Sequence, residues 1–149
     1  MSLATTKTRL SSVVTGVSGT ANVRVRIASD IDRADAESAY ISGGAVNAWE
    51  FSMRPSYRHG GASGLGRTTC RVSGIAHYRH SDSADSFGTF FALLETVFLA
   101  LGEPVTGFPQ LEEDGIVLEE LTEAPVALRT GHSAYRARFS FGLSDVDNT

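Results

Sequence analysis

Residues 82–101 read DSADSFGTFFALLETVFLAL and contain the strongest helical pattern in the chain. Their large apolar side chains recur in steps of three or one, which keeps them on one stripe of a helix with 3.6 residues per turn. These side chains are Phe87, Phe90, Phe91, Leu94, Val97, Phe98 and Leu101. Asp82 or Ser83 is suited to cap the first turn, and Gly102 followed by Pro104 is suited to end the last. Because such a stripe needs a broad apolar partner, the sequence predicts a long amphipathic helix packed on a sheet or on another helix.

The length and composition are those of one folded domain. The chain has 149 residues, of which 42% are hydrophobic and 20% charged, with a formal net charge of −4. We therefore predict a single domain over residues 1–149. The negative net charge does not fit the dense basic face of a duplex-DNA binder. No apolar run approaches the roughly 20 residues of a membrane span, so we expect no membrane partner.

Alternating apolar and polar residues predict several strands around the long helix. The clearest is residues 135–143, in which Tyr135, Phe139 and Leu143 share one face with two further apolar residues. The other predicted strands are residues 23–27, 46–57, 67–80, 115–119 and 125–128. Spaced apolar residues over 5–17 predict a short N-terminal helix. The predicted fold is α+β, with a mixed or antiparallel sheet of five or six strands and the helix of about 82–101 on one face.

Three segments are predicted to lie outside this regular structure. Residues 29–44 are polar and are predicted to form a long loop with one helical turn near 35–40. Residues 58–66, RHGGASGLG, are rich in glycine and are predicted to form the flexible tip of a hairpin, because glycine is costly to order. Residues 144–149 are predicted to be a frayed acidic tail.

No motif in the sequence predicts a catalytic, cofactor or metal site. Residues 61–68 have the spacing of a phosphate-binding P-loop, but Arg67 replaces the required lysine and a strand rather than a helix follows. His77 and His80 are three residues apart, which on a strand places them on opposite faces. Cys70, the only cysteine, is predicted to be a small core residue. The acids between Glu112 and Glu123 lie in a polar context that gives no reason for the separated pKa values of a catalytic pair.

The remaining signal is one of interaction between proteins. Arginines recur on the polar faces of the strands, and Lys7 is the only lysine, which favours interface-type contacts. Unlike charged surfaces on one molecule pair head to tail and close into a ring when the rotation permits. The alternative is an evenly solvated sheet face. The candidate interface residues are Arg54, Arg58, His59, Arg67, Arg71, Arg79, Glu112, Glu113, Asp114, Arg136 and Arg138.

The order of these elements resembles that of a known family. The strand, Ser/Asp turn and helix in RTTCRVSGIAHYRHSDSADSFGTFFALLETVFLAL (67–101), and the closing stretch EAPVALRTGHSAYRARFSFGLSD (123–145), carry the likeness. The layout is similar to that of the tail terminator, or tail completion, proteins of long-tailed bacteriophages. The resemblance covers about residues 5–145 and rests on architecture more than on specific motifs.

The resemblance implies a structural virion protein without catalytic residues or cofactors. Members of this family form a ring, a homohexamer, at the head-proximal end of the viral tail, where they end polymerisation of the tail tube and take part in head-tail joining. The implied partners are further copies of the chain, the tail tube protein and the head-tail connector or neck proteins, with DNA only as cargo passing through the lumen. Virus assembly would take place in the host cytoplasm. Residues 56–66, 29–44 and 111–123 would be docking segments.

Two alternatives stay open at the level of sequence. One is another head-tail neck or adaptor component, or a tube-like tail protein, in which residues 58–66 would be part of a longer stacking hairpin. The other is a small ligand-binding or enzymatic α+β domain. A pocket where Glu50, His77 and His80 converge with strongly shifted pKa values would favour the second.

Overall fold

The computed structural model describes residues 3–27, 41–42, 45–59, 66–81, 85–103, 110–128 and 131–144. Within these residues the helices are α1 (Leu3–Thr15) and α2 (Ser86–Gly102). The strands are β1 (Val23–Ile27), β2 (Ile41–Ser42), β3 (Ala45–His59), β4 (Gly66–Arg79), β5 (Gln110–Leu111), β6 (Val117–Leu121), β7 (Val126–Ala127) and β8 (Ser133–Ser144). Each predicted strand and the predicted N-terminal helix are present, with bounds that shift by a few residues.

The sheet contains the order β1-β3-β4-β8; β2 also pairs with β3, and β5, β6 and β7 pair with β8. β1 runs parallel to β3, whereas β3, β4 and β8 are antiparallel, so the sheet is mixed. Both helices contribute to one apolar core with one face of this sheet, which confirms the α+β fold class. The predicted count of five or six strands is too low, since the described residues form eight. The missed strands, β2 and β5, have two residues each, and two residues carry no periodicity.

Strands β5, β6 and β7 follow one another along the outer edge of β8. Their partners run from Ser144, opposite β5, to Ser133, opposite β7. Between the strands, residues 112–116 and 122–125 leave the ladder, and the register shifts within β6. An edge that is interrupted and bulged in this way is a poor template for pairing with another strand.

The core lies between the helices and one face of the sheet. The alternation predicted for β3 and β8 is confirmed, because Trp49, Phe51 and Met53 are buried together with the apolar side chains of β8. The ring of Phe139 packs edge-on against Phe51 and against Phe98 of α2, at centroid distances of 5.7 and 4.9 Å. On this face the strands are held together by aromatic contacts that cross from strand to strand and up to the helix.

Helix α2 begins later than the sequence predicts. It starts at Ser86, and the side chain of Asp85 accepts a hydrogen bond from the amide of Gly88 at 3.0 Å, so Asp85 is the capping residue. The predicted caps, Asp82 and Ser83, lie outside the described residues. The helix continues through Gly102, which was predicted to follow its end.

The buried stripe of α2 is also rotated from the predicted one. Phe90, Leu94, Val97 and Leu101 are buried as predicted. Phe91 was predicted to belong to the stripe but is 41% exposed, whereas Leu93 is buried. The reason is that α1 packs beside α2. Leu93 lies against the α1–β1 connection, so close that a β-carbon added to Gly19 would be 3.4 Å from a methyl group of Leu93. A neighbouring helix therefore sets the orientation of α2 as much as the sheet does.

The ends of the predicted hairpin tip, and the first residue of the predicted tail, belong to strands. Arg58 and His59 are the last residues of β3 and Gly66 is the first of β4, and the rest of the predicted tip, residues 60–65, lies outside the described residues. Ser144 is buried as the last residue of β8 rather than being part of a frayed tail, and residues 145–149 are outside the described part of the chain. The predicted loop at 29–44 likewise falls mostly on residues not described, apart from β2.

Candidate functional site: the open face of the sheet

The face of the sheet opposite the helices carries most of the predicted interface residues. We call it the open face, because no described helix packs on it. The strand register places residues of neighbouring strands side by side in rows across this face. One row crosses five strands and consists of Arg24, Glu50, Ile75, Arg138 and Glu120. The next charged row along β3 pairs Arg54 with Arg71, and Arg71 with Gly142. In these two rows the open face is mostly polar and contains closely spaced like charges, whereas at its other end Val46, Ala48 and Ala134 form a small buried apolar cluster with Leu128.

The arginines of the β3–β4 hairpin lie in directly opposed pairs. Arg54 is opposite Arg71, and Arg58 is opposite Arg67 four residues further along. Like charges that face each other across strands are destabilising, so a pair of this kind is a cost to the isolated chain. Arg54 and Arg71 are both exposed. Arg54 makes no ion pair with any other residue that the structure describes.

Arg136 and His77 form a contact that sequence analysis did not predict. The two residues are register partners on β8 and β4, and Arg136 Nε donates a hydrogen bond to His77 Nε2 at 3.0 Å. Since arginine is always a donor, His77 accepts at Nε2 and is neutral in this state. Burial of His77, together with the positive charges of Arg136 and Arg138, lowers its pKa from 6.5 to about 4. Arg136 is thus engaged within its own chain.

Two glutamates of the acidic edge, residues 112–123, cover serines of β8. The hydroxyl of Ser140 donates to Glu119 and accepts from Arg71 Nη2 at 3.1 Å, which links β4, β8 and β6. Ser144 donates to Glu112 at 2.9 Å, and the Glu112 amide donates to the carbonyl of Gly142. These bonds tie the acidic edge to β8.

Gly142 makes the approach of Glu112 possible. A β-carbon at this position would be 2.4 Å from the Glu112 carboxylate, so a side chain there would displace that carboxylate.

An ion pair also joins the acidic edge to β8. Arg138 lies 3.5 Å from Glu120, and the side chains of both are about half exposed. Such an exposed pair contributes little to stability. Its effect is to orient charges on the surface.

Three acids of the same edge make no ion pair with any other described residue. Glu113 and Asp114 lie in the turn between β5 and β6, and Glu123 lies between β6 and β7. All three are exposed. Residues 110–128 contain six acids and no arginine or lysine, whereas strands β1, β3, β4 and β8 contain nine arginines and one glutamate. Within the sheet, the described charges are therefore separated into four basic strands and an acidic edge.

The histidines do not converge on a common pocket. His77 is bonded to Arg136 on the open face, whereas His80 packs edge-on against Tyr135, whose ring stacks with Phe90 of α2 on the helix face. The predicted placement of His77 and His80 on opposite faces is confirmed. Cys70 is buried in the core as predicted, and burial raises the pKa of its thiol. Among the described residues, no three His, Cys, Asp or Glu side chains cluster closely enough to hold a metal ion.

Comparison with known proteins does not assign this chain to a family. No model of a known protein family matches this chain, and no curated protein matches it. None of the helices in the described part of the chain has the length and apolar character needed to span a membrane.

Sequence reasoning missed the serines that hold the acidic edge. Alternation along β8 placed Ser140 on the polar face, but its partners depend on which residues of β4 and β6 lie opposite, and register is not visible in one sequence. The six acids were noted as a group, yet only the structure shows that they all follow one edge. The composition of residues 110–128, with no basic residue, was the signal that could have indicated this.

Proposed function

We propose that this protein is a structural virion protein, a tail terminator that assembles with copies of itself into a ring at the head-proximal end of a phage tail tube. The observation that supports this best is the separation of charge between strands β1, β3, β4 and β8 of the sheet and its acidic edge. A molecule with two unlike, complementary surfaces favours head-to-tail association, and such contacts close into a ring when the rotation permits. The likeness of element order to the tail terminator family supports the same function.

In this proposal the chain has no catalytic step and needs no cofactor. Its partners are copies of the same chain in a homohexamer, the tail tube protein on one side and connector or neck proteins on the other. DNA passes through the lumen as cargo. The helices pack behind the sheet, which leaves the charged face and the hairpin available for contacts.

The last described residue pairs of the β3–β4 hairpin support a docking role. The last three residue pairs of this hairpin, from Tyr57–Thr68 to His59–Gly66, extend beyond the residues of β1 and β8 that flank the rest of β3 and β4. Tyr57 is 66% exposed there. Aromatic residues and arginines are enriched at the centres of protein interfaces, and both occur on this extension.

The same extension favours a second candidate function, that of a tube-like tail protein or another neck component. A tube protein uses a long hairpin to stack one ring on the next, and β3 and β4 pair over thirteen positions, further than the sequence predicts. The two functions differ in what they build. A terminator forms one finite ring, whereas a tube protein continues to polymerise.

Light scattering of the purified chain, alone and with the cognate tail tube protein, tests the proposal. A ring-sized particle, or a monomer that becomes one only when tube protein is added, is the expected result. Filaments that lengthen with concentration would favour the tube-like function instead. A chain that stays monomeric under both conditions would contradict the ring and favour a ligand-binding domain instead.

A matched variant separates the hairpin from the fold. Since Tyr57 and Thr68 are register partners, replacing residues 58–67 by a two-residue Asn-Gly turn closes the shortened hairpin. The described residues among those deleted have no pairing partner in β8, so the thermal midpoint is expected to change little while attachment to tube protein is lost. A variant that unfolds would show that the extension is part of the core, and one that still attaches would remove the hairpin from the docking surface.

A further inference from the structure

The internal contacts of the open face leave specific charges uncompensated. Glu112, Glu119 and Glu120 are engaged with Ser144, Ser140 and Arg138 of the same chain. Glu113 and Asp114 of the β5–β6 turn are exposed and make no ion pair with a described residue. On the basic side Arg54 is exposed, makes no ion pair with a described residue and faces Arg71 rather than an acid.

These two sets of charges cannot compensate each other easily within one chain. Strands β4 and β8 lie between β3, which carries Arg54, and the edge that carries Glu113 and Asp114. Three strand spacings separate them, which is about 14 Å at ~4.8 Å per spacing. At that separation an exposed pair is beyond the Debye length at physiological ionic strength, about 8 Å, and is largely screened.

We infer that the β5–β6 turn of one copy, through Glu113 and Asp114, docks on the opposed pair Arg54 and Arg71 of the next copy. This contact rests on the proposed self-assembly and names the two surfaces that make it. It relieves the repulsion between Arg54 and Arg71, because a carboxylate placed between two opposed guanidinium groups attracts both.

The contact is heterologous, since the turn and the hairpin are different surfaces of the molecule. Each copy therefore offers one donor surface and one acceptor surface, as a closed ring requires. Electrostatic complementarity of this kind fixes the register between subunits and raises the rate of association more than it raises affinity. The interruption of the β5–β7 edge fits the same arrangement, because it leaves side chains rather than backbone groups to make the contact.

Charge reversal tests the contact directly. The hairpin variant is Arg54→Glu, and the turn variant carries Glu113→Lys with Asp114→Lys. Each variant alone is expected to weaken self-association at least about tenfold, because like charges then face each other. Self-association is measured by sedimentation with tube protein present and absent. Mixing the two variants, or combining all three substitutions in one chain, is expected to restore assembly. High salt is expected to weaken the wild-type assembly and both rescued ones.

Matched controls come from the helices, which lie on the other face of the sheet. Arg9→Glu changes an exposed arginine of α1, and Glu95→Lys changes an exposed acid of α2. Both are expected to leave assembly unchanged. Circular dichroism of every variant checks that the fold is intact, and the rescue by the combined variant stands even if one single variant folds poorly.

The outcomes separate this contact from the proposed function. A wild-type ring that survives Arg54→Glu and the turn variant overturns the contact but leaves the ring intact. Loss in the single variants without rescue in the mixture also overturns it. Assembly that stops at a dimer, with rescue, keeps the contact but contradicts the ring. A wild-type chain that is monomeric with and without tube protein overturns both.

Discussion

Gly74 of β4 lies directly opposite Phe139 of β8, and the ring of Phe139 occupies the space above it. A β-carbon at position 74 would be 2.2 Å from a ring carbon of Phe139, far inside van der Waals contact. The same ring packs edge-on against Phe51 on the next strand. The absence of a side chain at 74 thus lets one aromatic ring join β8 to β3 across β4.

Gly74→Ala is therefore expected to destabilise the protein by about 1–3 kcal/mol, the usual cost of overpacking a core. Phe139 is held by Phe98 above it and Phe51 beside it, so it has little room to move away. Urea unfolding of the two proteins measures the difference. Ser73→Ala, on the exposed neighbouring position of β4, is the matched control and is expected to change stability by less than about 0.5 kcal/mol. Equal stability of Gly74→Ala and wild type would show that the ring is not fixed there.

Phe90 and Phe91 of α2 are adjacent in sequence but differ in burial, and this difference predicts unequal costs of truncation. Phe90 is fully buried and stacks on Tyr78 at 5.5 Å, whereas Phe91 is 41% exposed. Phe90→Ala is expected to cost about 3–5 kcal/mol. Phe91→Ala is expected to cost about 1 kcal/mol or less, because it removes only partly buried area. Thermal or urea unfolding of both variants decides, and a larger loss for Phe91→Ala would mean that α2 is rotated from the orientation described.

Asn47 of β3 joins the α1–β1 connection to the core and predicts a third effect. Its side-chain amide donates to the carbonyl of Gly19 at 2.7 Å, and its side-chain oxygen accepts from Trp49 Nε1 at 3.0 Å. Trp49 is fully buried, so loss of this acceptor leaves an indole N–H without its partner. Asn47→Ala is expected to destabilise by about 1–3 kcal/mol, the cost of an unsatisfied buried polar group. Asn47→Asp keeps an acceptor for Trp49 but loses the donor to Gly19. Its stability is expected to lie between that of the wild type and that of Asn47→Ala.

The sequence was sufficient for the fold class because the strongest patterns are local. Alternation in β3, β4 and β8 correctly identified the core face, since the period of two is set by the strand backbone itself. The orientation of α2 was predicted only roughly, because Phe91 and Leu93 are equally apolar and the position of α1 decides between them. The cap at Asp85 was missed since Asp82 and Ser83 are equally good capping residues by type.

The candidate site was predictable in its residues but not in its pairing. The arginines and acids could be named from composition, and the strand faces that carry most of the arginines from alternation. That Arg136 bonds His77, that Arg71 reaches Ser140 and that Glu112 lies over Gly142 depends on register between strands distant in sequence. Register also shows which charges stay uncompensated, and these are the ones that carry the proposed contact between copies.

The Arg136–His77 contact predicts a pH dependence of stability. The folded protein lowers the pKa of His77 to about 4 from 6.5, through burial and the positive charges of Arg136 and Arg138. Between pH 4 and pH 6.5 the unfolded chain therefore binds a proton at His77 that the folded chain does not bind. The contribution of neutral His77 to the free energy of unfolding is thus fully present above about pH 6.5 and is lost as the pH falls toward 4. At 1.36 kcal/mol per unit the loss at pH 4 is about 3 kcal/mol. His77→Gln keeps an acceptor for Arg136 but has no ionisable group, so urea unfolding from pH 7 to 4 is expected to show a flatter profile for this variant. Parallel profiles for the two proteins would show that folding does not lower the pKa of His77, and would contradict the effect of burial and of the two arginines on it.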